Sequence, residues 1–147
     1  MSHDARIQEP SVPHGFAPLS RVSPVSELIG PVYSRGGGLD LELGLYAQKK
    51  HCNLRGSVHG GIFATLADMA LGYTLAFSSD PPRGYVTANL TLDYAGAAKV
   101  GDWMSTRTDV QRQGGRLAFA NCYIYAGDQR IVRASAVFLA QDWPKER

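Results

Sequence analysis

Residues 53–77 have the sequence NLRGSVHGGIFATLADMALGYTLAF. Within this stretch, residues 62–77 are apolar on nearly all faces of a helix and include many Ala, Leu and Met residues, which favour helices. The only charged residue of the segment is Asp68, and the following SSDPP at 78–82 ends it. The pattern predicts a buried central helix of roughly five turns that carries a single carboxylate.

Segments on both sides of this helix have the pattern of β-strands. Before it, residues 39–46 alternate and place every second residue on one side, namely Leu39, Leu41, Leu43 and Leu45. After it, strand patterns cover residues 85–94, 102–111, 116–126 and 130–140, with glycine-containing turns at 114–115 and 127–129. Short connections make the last strands antiparallel neighbours, and a sheet with one buried face has to cover the apolar helix. The sequence therefore predicts an α+β fold in which an antiparallel sheet wraps a long central helix.

The chain reads as one domain with a proline-rich leader. Five of its eight prolines lie in the first 31 residues, which predicts an irregular leader over residues 1–30 and a single domain over residues 31–147. Within the leader, Ser23-Pro24 can begin a short helix that ends at Gly30.

Composition and charge indicate which kinds of partner and which cellular compartment are expected. The net charge is only +2 and the basic residues are scattered, so nucleic-acid binding is not expected. The apolar segment 62–77 is short and contains a carboxylate, so no membrane span is expected. Cys52 and Cys122 are the only cysteines and no secretory signal precedes them, which favours the cytoplasm.

Gly60, Gly61 and Asp68 are the first candidates for chemistry. A Gly-Gly pair at a helix N-terminus lets a ligand approach free backbone N–H groups, where the helix dipole favours negative charge. The alternative is that the glycines serve only a tight turn into the helix. A desolvated carboxylate at Asp68 can act as a base or nucleophile, and the alternative is a structural Asp with a nearby donor.

The spacing of Gly60 and Asp68 predicts self-association. They lie eight residues apart, which separates them by roughly 12 Å along one helix. If both groups act on one carbonyl, each must lie within about 3 Å of one of its two atoms. One chain therefore cannot supply both groups. If the two groups cooperate, we expect a homodimer in which two such helices lie side by side around a two-fold axis and share two sites. Whether two dimers pair further is left open.

The pattern Asn-x-x-Gly-x-Val-His-Gly-Gly at 53–61, with Asp68 nine positions after the His, resembles hotdog-fold acyl-CoA thioesterases of the phenylacetate-pathway (PaaI-like) type. The segment TANLTLDY at 87–94, followed by Gly101-Asp102, extends the resemblance, which covers residues from about 30 to the end. The resemblance implies a hotdog fold and hydrolysis of a small or medium acyl-CoA, with an aryl-acetyl group as one option. Coenzyme A would be part of the substrate, and no cofactor or metal is expected.

The same resemblance implies roles at matching positions. Asp68 would be the base or nucleophile, and the Gly60 N–H would polarise the thioester carbonyl. Asn53 would orient the thioester, and His59 would lie near the departing sulfur or brace the loop. Thr87 matches a hydroxyl that orients the attacking water. The alternatives are a turn former at Asn53, a hydrogen bond at the helix start for His59 and an ordinary strand residue at Thr87.

Thr87 raises a question of geometry. Strict alternation places it on the face opposite Val86, Ala88, Leu90 and Leu92. It can join the site only if that face borders a partner chain or if a bulge intervenes.

Further residues are candidates for substrate binding, and other chemistries fit less well. The candidates are Gly61, Val58, Phe63 and Tyr73 around the acyl group, and Arg55 and Arg116 for the CoA phosphates. All four histidines precede the helix, so a serine triad with a late His is not expected. His51, Cys52 and His59 match no common zinc spacing. The main alternative function is a non-catalytic acyl-CoA sensor on the same fold.

Overall fold

A computed structural model of the chain describes residues 11–142. It contains two α-helices, α1 and α2, and seven strands, β1 to β7. The helices are α1 (Pro24–Ile29) and α2 (Gly60–Ala76). The strands are β1 (Ala17–Pro18), β2 (Tyr33–Arg35), β3 (Glu42–Tyr46), β4 (Gly84–Tyr94), β5 (Trp103–Gln113), β6 (Leu117–Ala126) and β7 (Gln129–Gln141).

All seven strands form one antiparallel sheet in the order β1-β2-β3-β5-β6-β7-β4. Strand β4 follows the helix directly in the chain but lies at the far edge of the sheet, next to β7 alone. Within the described residues, the other edge of β4 therefore has no neighbouring strand.

The long helix α2 packs across one face of this sheet. Its core-facing side contributes Leu66, Leu71 and Leu75, each fully buried. They lie in one hydrophobic cluster with inward-facing strand residues such as Ile124 and Phe138. The sheet thus buries one side of α2, while Ile62, Met69 and Tyr73 pack against the core only partly buried. This is the hotdog architecture, and it confirms the fold expected from the sequence.

The structure corrects the first predicted strand. Strand β3 begins only at Glu42, because Gly38 has a φ of +56° and residues Gly38–Asp40 form a single 3-10 turn. Leu43 and Leu45 are fully buried as expected, but Leu39 lies on the turn and is 56% exposed. The run of alternating leucines therefore begins before the strand does.

The described part of the leader is ordered against the sheet. Helix α1 begins after Ser23, whose side chain accepts the Ser26 N–H, and it ends before Gly30. Strand β1 pairs with residues Tyr33 and Ser34, so the leader adds a short strand to the sheet. Residues 1–10 of the predicted leader lie outside the described residues. Among residues 11–142, no helix is long and apolar enough to cross a membrane.

Candidate active site

The N-terminus of α2 carries one uncommitted backbone donor. His59 is the N-cap residue, and its Nδ1 accepts the Gly61 N–H at 2.8 Å. The Ile62 N–H donates to the His59 carbonyl at 2.9 Å. Among the described residues, the Gly60 N–H has no hydrogen-bond partner. It therefore lies free at the positive end of a 17-residue helix, where a negative oxygen is stabilised.

Asn53 lies in the turn that leads to this helix. Its Oδ1 accepts the N–H groups of Arg55 at 2.9 Å and Ser57 at 3.3 Å, which closes an Asx-type turn. Gly56 completes the turn with a φ of +83°. The Asn53 oxygen is thus used within the turn, and its amide nitrogen is the group left to donate.

A β-bulge brings Thr87 to Asp68. In the β4–β7 pair, Thr87 lies opposite Phe138 and Asn89 lies opposite Val137, so Ala88 is an extra residue. The bulge reverses the alternation, so Thr87 faces the helix, on the same side of the strand as Leu90 and Leu92. The Thr87 hydroxyl donates to the Asp68 Oδ1 at 2.6 Å. Of the two geometries that could have brought Thr87 into the site, the bulge is the one that the fold contains.

Tyr94 is a site residue that the sequence analysis did not select. It ends β4, and its hydroxyl donates to the Gly60 carbonyl at 2.8 Å. Its ring also lies against Gly60, where an added Cβ would meet the ring carbon Cζ at 3.2 Å. No spacing rule links residues 34 positions apart, so only the register of β4 against the helix could have identified it.

The predicted substrate-binding side chains lie in four different places. Val58 and Phe63 are buried in the hydrophobic core. Tyr73 donates its hydroxyl to the Arg21 carbonyl at 3.2 Å, beside the leader. Arg55 is exposed on the turn before α2, next to the helix N-terminus. Arg116 lies in the β5–β6 hairpin, at the end of the sheet where Gln113 donates to the carbonyl of Leu75 near the helix C-terminus. The structure therefore separates Arg116 from Gly60 by the length of the helix.

One chain holds two separated halves of the candidate site. Asp68 is half-buried near the middle of α2, and Gly60 is two turns away on the same helix, at roughly 12 Å. The partly exposed side of α2 runs from Gly61 through Thr65 and Asp68 to Gly72, beside the free edge of β4. Both halves are thus accessible along one surface strip.

Two buried titratable groups support the fold. Burial raises the pKa of the Cys122 thiol to about 12, so this thiol is not a nucleophile at neutral pH. Burial lowers the pKa of His51, whose Nε2 bonds to the carbonyl of Ile29 at 2.6 Å. Within residues 11–142, no three His, Cys, Asp or Glu side chains gather closely enough to hold a metal ion.

Comparisons with known proteins show which family this chain resembles. Residues 55–133 match the model of the thioesterase superfamily. The chain is 45% identical over 129 residues to the Pseudomonas aeruginosa protein named "Putative esterase PA0474", which covers 87% of this chain and 96% of that protein.

Solved structures show the same fold at low sequence identity. The Escherichia coli PaaI protein from the phenylacetic acid degradation operon superposes with a TM-score of 0.74 at 16% identity, over 81% of this chain and 85% of that one. A hypothetical thioesterase protein from Streptococcus pneumoniae, solved with coenzyme A, has a TM-score of 0.71 at 16% identity, over 78% of this chain and 88% of that one.

Proposed function

Because the chain belongs to the thioesterase superfamily, a family of thioester hydrolases, we propose that it hydrolyses small or medium acyl-CoA thioesters to the free acid and CoA. The observation that carries the proposal is the Asp68 carboxylate, half-buried on the central helix and held by the Thr87 hydroxyl at 2.6 Å. The coenzyme A found with the Streptococcus pneumoniae protein supports CoA as the thiol.

Asp68 acts as the general base in this proposal. Its Oδ1 is oriented by Thr87, so the second oxygen accepts a proton from water while the water oxygen bonds to the thioester carbonyl carbon. Direct attack by Asp68 is the competing route, and it passes through an acyl anhydride. The two routes differ in the first turnover in ¹⁸O water, since only an anhydride places an enzyme oxygen in the product.

The helix N-terminus stabilises the charge that forms. As the carbonyl oxygen becomes an oxyanion, the Gly60 N–H donates to it and the helix dipole adds to the stabilisation. The intermediate then collapses and the C–S bond breaks, while the proton on Asp68 passes to the departing sulfur, so that CoA leaves as a thiol and Asp68 returns to its carboxylate form. His59 bonds to Gly61 through Nδ1, so its Nε2–H points elsewhere and serves to support the departing sulfur, while the Asn53 amide orients the thioester.

The proposed catalytic unit is a homodimer. Side-by-side packing of the strips that contain Asp68 and Gly60 places each acid next to the helix N-terminus of the other chain. The free edge of β4 lies beside this strip, and an edge strand of 11 residues is suited to pairing with its copy. The chemistry uses only water and the substrate, and two free thiols suit a reducing cytoplasm.

Thiol release from a panel of aryl and alkyl acyl-CoA thioesters tests the proposal. Asp68→Asn should lower kcat by about 10²–10⁴-fold, the range for loss of a general base, while the fold is retained by circular dichroism. Asp109→Asn, an exposed aspartate on β5, is the matched control and should leave hydrolysis unchanged.

Two results would contradict this mechanism. Wild-type rates in purified Asp68→Asn protein would remove the base from its proposed role. Tight binding of acyl-CoA by the wild-type chain without thiol release would favour the alternative function, a non-catalytic sensor on the same fold.

A further inference from the structure

Two arginines share the outer face of the sheet because of a second bulge. In the β6–β7 pair, Tyr125 lies opposite Arg130 and Ile124 lies opposite Val132, so Ile131 is an extra residue. Residues three positions apart normally point to opposite faces of a sheet, but the bulge returns Arg133 to the face of Arg130. Both side chains are exposed on the side opposite to α2.

The two guanidinium groups are held by different neighbours. Arg130 donates from Nε and Nη2 to the Tyr125 hydroxyl at 3.1 and 2.9 Å, and its guanidinium stacks on the Tyr123 ring at 4.2 Å. Tyr123 is also the cross-strand partner of Arg133. Arg133 donates from Nε and Nη2 to the Asp93 Oδ2 at 3.1 and 2.9 Å. Within residues 11–142, the Nη1 group of each arginine is left without a hydrogen-bond acceptor.

These groups line a cleft at the end of β4. The cleft has a volume of about 390 Å³, and its walls include Asp93, Ala95, Tyr123 and the two arginines. The chain leaves β4 here, and the N–H groups of Ala95 and Gly96 both donate to the carbonyl of the bulged Ile131.

The same strand end contacts the proposed catalytic helix. Tyr94 faces inward and bonds to the Gly60 carbonyl, while the preceding Asp93 faces outward and holds Arg133. With about 3.8 Å between successive Cα atoms and about 5 Å across a strand pair, Arg133 lies within roughly 20 Å of the Gly60 carbonyl. The pantetheine arm of CoA has the length of four to five extended residues, roughly 15 Å.

We propose that the cleft between Arg130, Arg133 and Tyr123 binds the phosphorylated adenosine end of the CoA substrate. Guanidinium groups recognise phosphate oxygens through N–H donors, and here the Nε and Nη2 groups are held by Tyr125 and Asp93, so the Nη1 side of each guanidinium is left for phosphate oxygens. The Tyr123 ring holds the Arg130 guanidinium in place by stacking at 4.2 Å. The proposal rests on acyl-CoA as the substrate, and it assigns this contact to the outer sheet face in place of Arg116.

Steady-state kinetics with one acyl group carried on two different thiols test the site. The acyl group hydrolysed fastest in the panel is presented on CoA and on pantetheine, which lacks the nucleotide. In Arg130→Gln and Arg133→Gln, KM for acyl-CoA should rise about tenfold, which is the lower end of the range for a lost charge-assisted hydrogen bond. The kcat should stay unchanged because the contact is remote from the reacting atoms, and KM for acyl-pantetheine should not move. The KM of Arg133→Lys for acyl-CoA should lie between the values of Arg133→Gln and the wild type, because lysine keeps the charge but lacks the planar set of N–H donors.

Arg112→Gln is the matched control, since Arg112 is an exposed arginine on β5 near the other end of the sheet. It should leave both KM values unchanged. Equal KM for acyl-CoA in wild type and both glutamine variants would overturn the site while leaving hydrolysis intact. A rise in KM for acyl-pantetheine that matches the rise for acyl-CoA would also overturn it, since the arginines would then act on the fold.

Direct binding of adenosine 3′,5′-bisphosphate separates this site from the proposed reaction. Calorimetric titration should show binding to the wild type that weakens about tenfold in each glutamine variant and weakens with added salt. Binding without any thioester hydrolysis would support the cleft and contradict the proposed function. No binding by a wild-type protein that hydrolyses acyl-CoA would contradict the cleft alone.

Discussion

At the residue scale, proline at position 60 removes the Gly60 N–H and adds a ring beside Tyr94. Gly60 is the first residue of α2, a position that tolerates proline, and His59 before it has φ −62° and ψ 137°, which a residue preceding proline favours. Gly60→Pro should therefore delete the donor and lower kcat by about 10²–10³-fold, the cost of one oxyanion-hole donor. Stopped-flow or steady-state thiol release measures it.

Gly60→Ala is the control for the side chain that proline adds. An added Cβ at this position meets Tyr94, so both variants carry the same contact, but alanine keeps the N–H. We expect Gly60→Ala to retain most of the wild-type kcat. Equal losses in the two variants would mean that packing against Tyr94, and not the donor, is the property that matters.

Single residues also show what the sequence could predict about the site. The positions of Asp68 and Gly60 on the central helix were predictable from the sequence, and their roles stay predictions that rest on a lone carboxylate in an apolar helix and a glycine at its start. The Thr87 contact with Asp68 was not, because the alternation of residues 85–94 continues unbroken in the sequence while the strand itself contains an extra residue. A bulge is a feature of pairing with β7, and one strand's sequence does not reveal it.

At the element scale, the turn before α2 is held by His51. This buried residue belongs to a 3-10 turn at Lys49–His51, and its Nε2–H donates to the carbonyl of Ile29 at the end of α1. Its Nδ1 accepts the Gln48 N–H at 2.9 Å, which fixes the neutral tautomer. The His51 carbonyl also accepts the N–H of His59, the N-cap of α2. One histidine therefore connects the leader helix α1 to the start of the central helix α2.

This arrangement predicts a stability that falls in acid. Burial lowers the pKa of His51, so the folded chain binds fewer protons than the unfolded chain, and the stabilisation is complete above the unfolded value of about 6.5. As the pH falls below that value, the unfolded chain binds a proton that the buried His51 does not, so stability declines until the folded ring is protonated as well and loses the bond from the Gln48 N–H. The midpoint of thermal unfolding should drop between pH 7.5 and pH 5.5, and His51→Gln should remove part of that drop.

His14→Gln serves as the control for a general loss of a histidine, because His14 is exposed. It should keep the wild-type slope of unfolding midpoint against pH. The same slope in His51→Gln and the wild type would assign the acid sensitivity to another group.

The long elements were predictable because their periodicity is strong, and the short ones were not. The central helix and the four strands after it agree with the sequence to within about two residues at each end. Strands β1 and β2 have two and three residues, and such short strands form because the rest of the sheet offers an edge. The convergence of Arg130 and Arg133 depends on the bulge at Ile131, so it too required the pairing of strands.

At the scale of the whole molecule, the proposal of a shared site predicts complementation between damaged chains. In a hybrid of one Asp68→Asn chain and one Gly60→Pro chain, one of the two sites contains both substitutions and the other contains neither. With two different affinity tags, tandem purification isolates that hybrid. It should show about half of the wild-type kcat per dimer, although each parent homodimer is nearly inactive. A hybrid as inactive as its parents would place the complete site within one chain.

The uncovered side of β4 has a consequence for the newly made protein. Unless another chain pairs with this edge, as in the proposed dimer, the outward-pointing N–H and C=O groups of the 11-residue strand are open to other extended chains in the cell. Pairing of two copies then competes with non-specific aggregation. The outcome depends on the rate of synthesis and on the concentration of the protein. Overproduction with slow folding should be expected to yield insoluble material even though the finished fold buries its core well.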